Sequence, residues 1–420
     1  MSPIIIASII MILTFFCFFH PRIPNVAVAI ASALAFGLTG IIPMDTVFNG
    51  FAGPSPILMI GMMTIGGAVF QSGLAGWIGQ KIIKVTGTNL KTIQMVILLM
   101  STFLTMFVGA SGTLMIIYAL MASIAISSKI SMSKLVAFEM SGSLSGSMLT
   151  FTGCGMIGAS AAILQASGYR MWSFFEVAWY GLPRLVIVFL VSYFFANKVL
   201  PDNFVMPDES MINKDSLQEK LTPKMIISGL IFLLTIAGFI ANSSSLPVHV
   251  VATLGALACL FTGCLTPKQM YSAISWDVIL LIGGMSGFGK GMQASGFGEL
   301  IGQFVMRLTG ADPSPILVIF ILIIATGIIT QFMSDNAAIG LMAPIAIGLA
   351  KTMGIEPYAF VMATLVASSL CHLSIMASPP LAFIMDIGGY KPTFFLKWGL
   401  MIEFLPALCA AMIMIPLIWL

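Results

Sequence analysis

The apolar positions of this chain run together into long blocks separated by short polar turns. A block of about 17 to 25 apolar residues is long enough to cross a bilayer as a helix. Crossings are expected near 3–19, 24–42, 55–72, 135–168, 175–199, 224–242, 247–265, 276–294, 358–390 and 395–420. Two further runs, 91–128 and 314–350, are long enough to cross twice, but small polar residues break each in the middle. The first break is Gly109-Ala110-Ser111-Gly112 and the second is Ser334-Asp335-Asn336. Non-helical backbone at membrane depth is tolerated only where protein buries it or a watery cavity faces it, so both runs are expected to be re-entrant hairpins.

The blocks also repeat. Pro24 through Ser72-Gly73 recurs as Pro247 through Ser295-Gly296, and Ile57-Leu58-Met59-Ile60-Gly61 answers Ile279-Leu280-Leu281-Ile282-Gly283. Further on, at an offset of 225, Phe107 faces Phe332, Ile130 faces Ile355 and Ser143 faces Ser368. Internal repeats with substrate held where the halves meet are a common plan of secondary transporters. The fold expected is an all-α integral membrane protein with about ten transmembrane helices plus two re-entrant hairpins. The first repeat spans 1–199 with hairpin 91–128, a cytoplasmic linker covers 200–223, and the second repeat spans 224–420 with hairpin 314–350. Five crossings per half is an odd number, so the two repeats must be inverted relative to each other.

Composition fixes the solvent. With 59% hydrophobic and 8% charged residues, the chain has too little polar surface to cover a water-soluble globule of this size. Placing the 200–223 loop in the cytoplasm puts 13 of the 18 basic residues on the inner side, while the 43–54 loop carries no Lys or Arg. By the positive-inside rule both termini are expected outside, in a multi-pass protein of the cell's inner (plasma) membrane. The opening Met1-Ser2-Pro3 lacks a basic n-region, so the first block is expected to be a retained helix. A net charge of +3 with no basic run argues against nucleic-acid binding. The six cysteines lie in or beside apolar runs without paired spacing and read as packing residues.

Function must sit at the polar breaks. A transported anion needs hydrogen-bond donors at mid-membrane, and a broken helix supplies them through its exposed N–H groups and dipole. Four breaks occur in two equivalent pairs. The hairpin tips are Gly109-Ala110-Ser111, followed by Gly112, and Ser334-Asp335-Asn336; the second pair is Thr152-Gly153-Cys154-Gly155 and Ala377-Ser378-Pro379-Pro380. Pro379-Pro380 removes two donors, and Gly153 and Gly155 free the backbone to unwind. Substrate contacts are therefore expected from Gly109, Ala110, Ser111, Gly112, Thr152, Gly153, Ser334, Asp335, Asn336, Ser378 and Pro379, and cation coupling from Asp335, Asn336, Ser111, Cys154, Ala377 and Glu139.

This order of hairpin tip, small-residue helix and Thr-Gly or Ser-Pro-Pro break resembles the divalent anion:sodium symporter family of the ion transporter superfamily, over nearly the whole chain. Ser334, Asp335 and Asn336 fall on that family's second hairpin tip, which together with the unwound helices clamps carboxylates and makes two sodium sites. Trp276-Asp277 and Ser378-Pro379-Pro380 are likewise similar, whereas Gly109-Ala110-Ser111 keeps one hydroxyl and lacks the family's Asn. The resemblance implies a secondary active transporter of a small organic anion, a di- or tricarboxylate, moving by an elevator mechanism within a homodimer. It also implies an extra N-terminal helix in relatives that this chain lacks.

Asp335 is the sharpest single residue. An ionised group at mid-bilayer costs several kcal/mol unless a cation pairs with it or a proton neutralises it, so it points to Na⁺ or H⁺ coupling. Na⁺ would find oxygen ligands at Ser111, Asp335 and Asn336; the plainer reading of Asp335 is a helix cap. Glu139 is a second intramembrane acid, and His372 has the chemistry to titrate near neutrality. Lys290, Glu403 and Arg184 lie near span ends, where snorkelling to the interface is the expected behaviour. A Na⁺/H⁺ antiporter or arsenite-type permease of the same superfamily is the alternative that Asp335 keeps open. A remote one is an intramembrane serine protease, since Gly109-Ala110-Ser111-Gly112 resembles the serine motif of such enzymes. No cofactor motif is present, so the expected partners are the lipid bilayer, a small organic anion and a coupling ion.

Overall fold

The computed structural model describes residues 2–20, 22–78, 81, 89–201, 203–207, 221–241, 246–309, 313–370, 373 and 379–420. Its regular structure is helical throughout those residues. In the first half run α1 (Pro3–Phe19), α2 (Asn25–Leu38), α3 (Pro54–Gln71), α4 (Leu90–Val108), α5 (Ala110–Ser128), α6 (Val136–Gly146), α7 (Gly155–Ala166) and α8 (Ala178–Val199). The second half begins with α9 (Pro223–Ala241), α10 (Val248–Phe261), the short α11 (Pro267–Ala273), α12 (Trp276–Ala294) and α13 (Phe297–Thr309). It continues with α14 (Pro315–Ile329), α15 (Asp335–Thr352), α16 (Tyr358–Ser368), α17 (Pro379–Gly388), α18 (Pro392–Trp398) and α19 (Leu405–Trp419), the last two joined by a π-helical turn over Gly399–Phe404. Prolines open α1, α3, α11, α14 and α18, where their missing N–H costs nothing.

Fewer helices than ten reach full spanning length. Among the described residues five are long and apolar enough to cross a membrane, and α11 with α12, bent by 58°, passes as a pair. The reason is visible in α2 and α10: each has 14 residues, which at 1.5 Å per residue is about 21 Å against an apolar core of about 30 Å. The expected crossing at 135–168 is two half-helices, α6 and α7, separated by non-helical residues 147–154, and the described residues of the one at 358–390 include α16 and α17.

Close packing follows a reciprocal pattern. Helix α2 packs along α12 and α10 packs along α3, so each half lends a helix to the other. A Cβ on Gly61 of α3 would lie 2.8 Å from the Ala252 backbone of α10, and one on Gly284 of α12 would lie 2.8 Å from the Ala29 backbone of α2. Both members of the second contact are 223 positions from those of the first, so the same small residues let the same helix pair approach twice. Helix α4 packs on α6 and α14 on α16, so in each half the helix before the polar break packs on the helix that follows the run.

The 91–128 run is interrupted at one residue. Gly109, with φ +81° and ψ 165°, is the whole connection between α4 and α5, and that conformation is open essentially to glycine alone. The second turn is longer, residues 330–334, and ends where the Ser334 hydroxyl accepts the Ala337 N–H at 3.3 Å. Of the 200–223 linker, the described start is exposed in part but tied to the helices: Met132 N–H donates to the Val205 carbonyl at 2.9 Å, and Asn203 Nδ2 donates to the Gly389 carbonyl at 2.7 Å.

Candidate functional site

A cavity of about 420 Å³ forms where the first hairpin tip and the first broken helix face α3 and the α11–α12 bend. That volume lies in the range of about 300–1,000 Å³ usual for small-molecule sites. Gly109, Ala110 and Gly112 bring the start of α5 to it, Cys154, Gly155 and Met156 bring the start of α7, and Asp335 brings the start of α15. Neither α5 nor α7 has a side chain capping its N-terminus. Two helix dipoles thus point their positive ends at one space. The opposite wall holds Met63, Gly67 and Gln71 of α3 with Ser272 and Ser275 of the bend.

The polar groups behind this wall are tied down. Thr150 Oγ1 donates to the Met106 carbonyl, and Thr152 Oγ1 reaches the same oxygen at 3.3 Å, so the unwound stretch is pinned to the end of α4. Ser143, which lines the cavity, lies 2.7 Å from Thr105 Oγ1 and donates to Glu139 Oε1 at 3.2 Å. At α15 the cap is Ser334, not Asp335; Asn25 Nδ2 of α2 also donates to that hydroxyl, at 2.8 Å. Asp335 Oδ1 accepts the Asn336 N–H at 2.8 Å, and Oδ2 faces the Cys154 thiol at 3.8 Å. Asn336 Oδ1 is buried without a hydrogen-bond partner, 3.1 Å from where a Cβ on Gly155 would stand. An orphaned oxygen beside a carboxylate is a donor set that suits a hard cation or a proton.

The sites expected from sequence divide as follows. Gly109, Ala110, Gly112, Thr152, Gly153, Cys154 and Asp335 line the cavity; Ser334 and Asn336 stand beside Asp335 without lining it. Glu139 lies behind the wall, reached through Ser143, with Oε2 buried and unpartnered. Ser111 belongs to the first turn of α5 and Pro379 opens α17, while their side chains, together with Ala377, Ser378 and His372, fall outside the described residues. Arg184 and Glu403 do not snorkel. Both are buried and form an ion pair, Nη2 to Oε2 at 3.1 Å, and Arg184 Nη1 also donates to the Leu144 carbonyl at 3.4 Å. The π-helical turn carries Glu403 inward to that partner, a register change that sequence spacing does not announce. Sequence reading also missed Asn25 and the α3 wall. The repeat held a signal for the latter, because α3 and α12 are matching elements.

A family described as CitMHS: Citrate transporter matches residues 5–365. The chain belongs to that family. The citrate transporter family is one of transporters and not of enzymes, which sets aside the protease reading of Gly109 to Gly112. An uncharacterized transporter of Haemophilus influenzae is 24% identical over 385 residues, 87% of this chain and 81% of the relative. A Synechocystis uncharacterized transporter, sll0640, is 32% identical over 160 residues, 38% of this chain and 26% of the relative. Solute carrier family 13 member 2 of Oryctolagus cuniculus is 28% identical over 141 residues, 34% of this chain and 23% of the relative. In these last two the match spans about a quarter of the relative's length. The fold is shared with the crystal structure of the Alcanivorax borkumensis YdaH transporter at a TM-score of 0.63 and 16% identity, over 99% of this chain and 98% of that one.

Proposed function

We propose that this citrate transporter family member is a secondary active transporter of a small organic anion, a di- or tricarboxylate, coupled to Na⁺ or H⁺. The observation that carries the reading is the convergence on one cavity of two uncapped helix N-termini and the Asp335 carboxylate. The helix ends attract carboxylates. Asp335 repels them unless a cation or proton arrives with the substrate, and that requirement is coupling. Membership of a family described as citrate transporters agrees with a carboxylate substrate.

In this reading the two halves are inverted repeats in the inner (plasma) membrane with both termini outside. The cavity then opens inward, toward the basic loops, past exposed Gln71, Ser272 and Ser275. The hairpins and broken helices form a moving unit, and sliding it along α3 and α12 would carry the site across the membrane as an elevator, within a homodimer. An impermeant thiol reagent should modify Asp45→Cys from outside and Lys268→Cys only after permeabilisation, both positions being exposed. Equal labelling from one side would sink the inverted arrangement.

The deciding experiment is uptake of labelled succinate, malate and citrate into proteoliposomes under imposed Na⁺ and pH gradients. Gradient-driven accumulation of one of them is the expected result. If none moves and a Na⁺ gradient instead drives proton exchange, the antiporter alternative, which Asp335 also fits, replaces this one.

A further inference from the structure

A second cavity, of about 260 Å³, lies between the 44–56 segment, the end of α7 and the last turns of α12. Its scaffold side repeats that of the first cavity. Asn49, Gly50 and Gly53 stand where the first has Ser272, Ala273 and Ser275, and Ser286 and Lys290 stand where it has Met63 and Gly67, each pair 222 or 223 positions apart. The remaining polar lining is Thr46 and Gln165. The two cavities differ in charge at one equivalent position: Gly67 on one side, Lys290 on the other.

Lys290 is unusual for its surroundings. Residues 281–289 of α12 are all buried, and Lys290 itself is half-buried, with no ion-pair partner among the described residues. A lysine held in a partly desolvated wall without a counter-charge raises the potential of the space it faces, and low-dielectric walls focus that field. The end of α7 that closes this cavity belongs to the same helix whose start lines the first. A shift of that helix would bring the substrate site toward Lys290.

We propose that the second cavity is the entrance for the carboxylate substrate on the opposite membrane face, with Lys290 as its docking charge. The proposal rests on the carboxylate-carrier reading, and its test is arranged to stand apart from it. In protein carrying Asn49→Cys, an exposed position on the cavity wall, an anionic methanethiosulfonate should react faster than a cationic one of similar size. Adding Lys290→Gln should lower the anionic-to-cationic rate ratio about tenfold at low salt, the lower end of focusing effects, and Lys290→Arg should restore it. Salt should shrink the ratio in the lysine form, because the field is screened over about 10 Å. That arm needs no second variant to fold. A ratio that ignores both Lys290→Gln and salt overturns the proposal, whatever the substrate proves to be. With labelled citrate or succinate, Lys290→Gln should raise KM for entry from the Asn49 side and leave KM from the other side unchanged. An equal change from both sides would make Lys290 structural and also overturns it. Absence of transport in the parent protein would count against the carrier reading alone.

Discussion

Replacing Asp335 with asparagine separates folding from coupling. The fold should barely register the change. Asn offers an amide oxygen to the Asn336 N–H that Oδ1 now accepts at 2.8 Å, the cap on α15 comes from Ser334, and the Cys154 contact is long at 3.8 Å. The stability cost is therefore about 1 kcal/mol or less, the net value of one ordinary hydrogen bond. Coupling is where the loss should appear. A tenfold ion gradient at zero potential is worth about 1.4 kcal/mol per ion, enough for about tenfold accumulation of substrate for each ion moved with it. Asp335→Asn can neither carry a proton nor neutralise Na⁺, so under the same gradient its accumulation ratio should fall toward one while tracer exchange at equal concentrations continues. The assay is steady-state content of labelled substrate in proteoliposomes, with potential clamped by ionophore. A variant that accumulates as the parent does would refute the assignment. The cation would then have to be held by Asn336 Oδ1 and backbone carbonyls near Gly153 and Cys154. A variant that fails to fold would instead make the carboxylate structural.

Ser334→Ala should cost about 1 to 2 kcal/mol in detergent melts, since it removes the α15 cap and strands the Asn25 amide, and should combine less than additively with Asn25→Ala; full additivity would mean the Asn25 contact is not formed. Gly146→Ala should destabilise by about 2 kcal/mol or more, because its Cβ would sit 2.2 Å from the Thr102 carbonyl oxygen and push α4 from α6; normal stability would place those helices further apart. Arg184→Met and Glu403→Met should each cost about 3 to 5 kcal/mol by leaving a buried charge alone, and the double variant should recover most of the loss. Thermal melts that rank the double variant worst would contradict a buried pair.

The elements were legible because the membrane imposes length and apolarity on each one. The predicted 3–19 and 276–294 coincide with α1 and α12, and Gly109 and Ser334 were visible as breaks because small and polar residues cluster there within otherwise apolar runs. The positions facing the cavity were less legible. Met63 and Gly67 look like any other residue of an apolar helix until α5 and α7 stand opposite them. Asn25 lies 309 positions from the Ser334 it holds, and Arg184 lies 219 from Glu403, so no local pattern could pair either. For Asp335 the sequence pointed to cation coupling, with helix capping as the plainer alternative. The cap lies one residue earlier because a serine in extended conformation can reach the Ala337 N–H, and the Asp335 carboxylate, held by the Asn336 N–H, lines the cavity.

The charges that break the internal repeat have different thermodynamic standing. Asp335 answers Ala110 and Lys290 answers Gly67, so each appears in one half only. A fixed positive charge at an entrance raises the local concentration of anion and is unchanged over a transport cycle, so it alters KM from that face but cannot change the final concentration ratio. A group that takes up a cation with the substrate changes the stoichiometry of the step and hence that ratio. Lys290→Gln should therefore slow entry at low substrate yet reach the parent's accumulation plateau, whereas Asp335→Asn should lower the plateau even at saturating substrate. Time courses carried to steady state in one proteoliposome preparation separate the two. A lowered plateau in Lys290→Gln would mean that the lysine takes part in coupling, and the division of roles between the two cavities would be wrong.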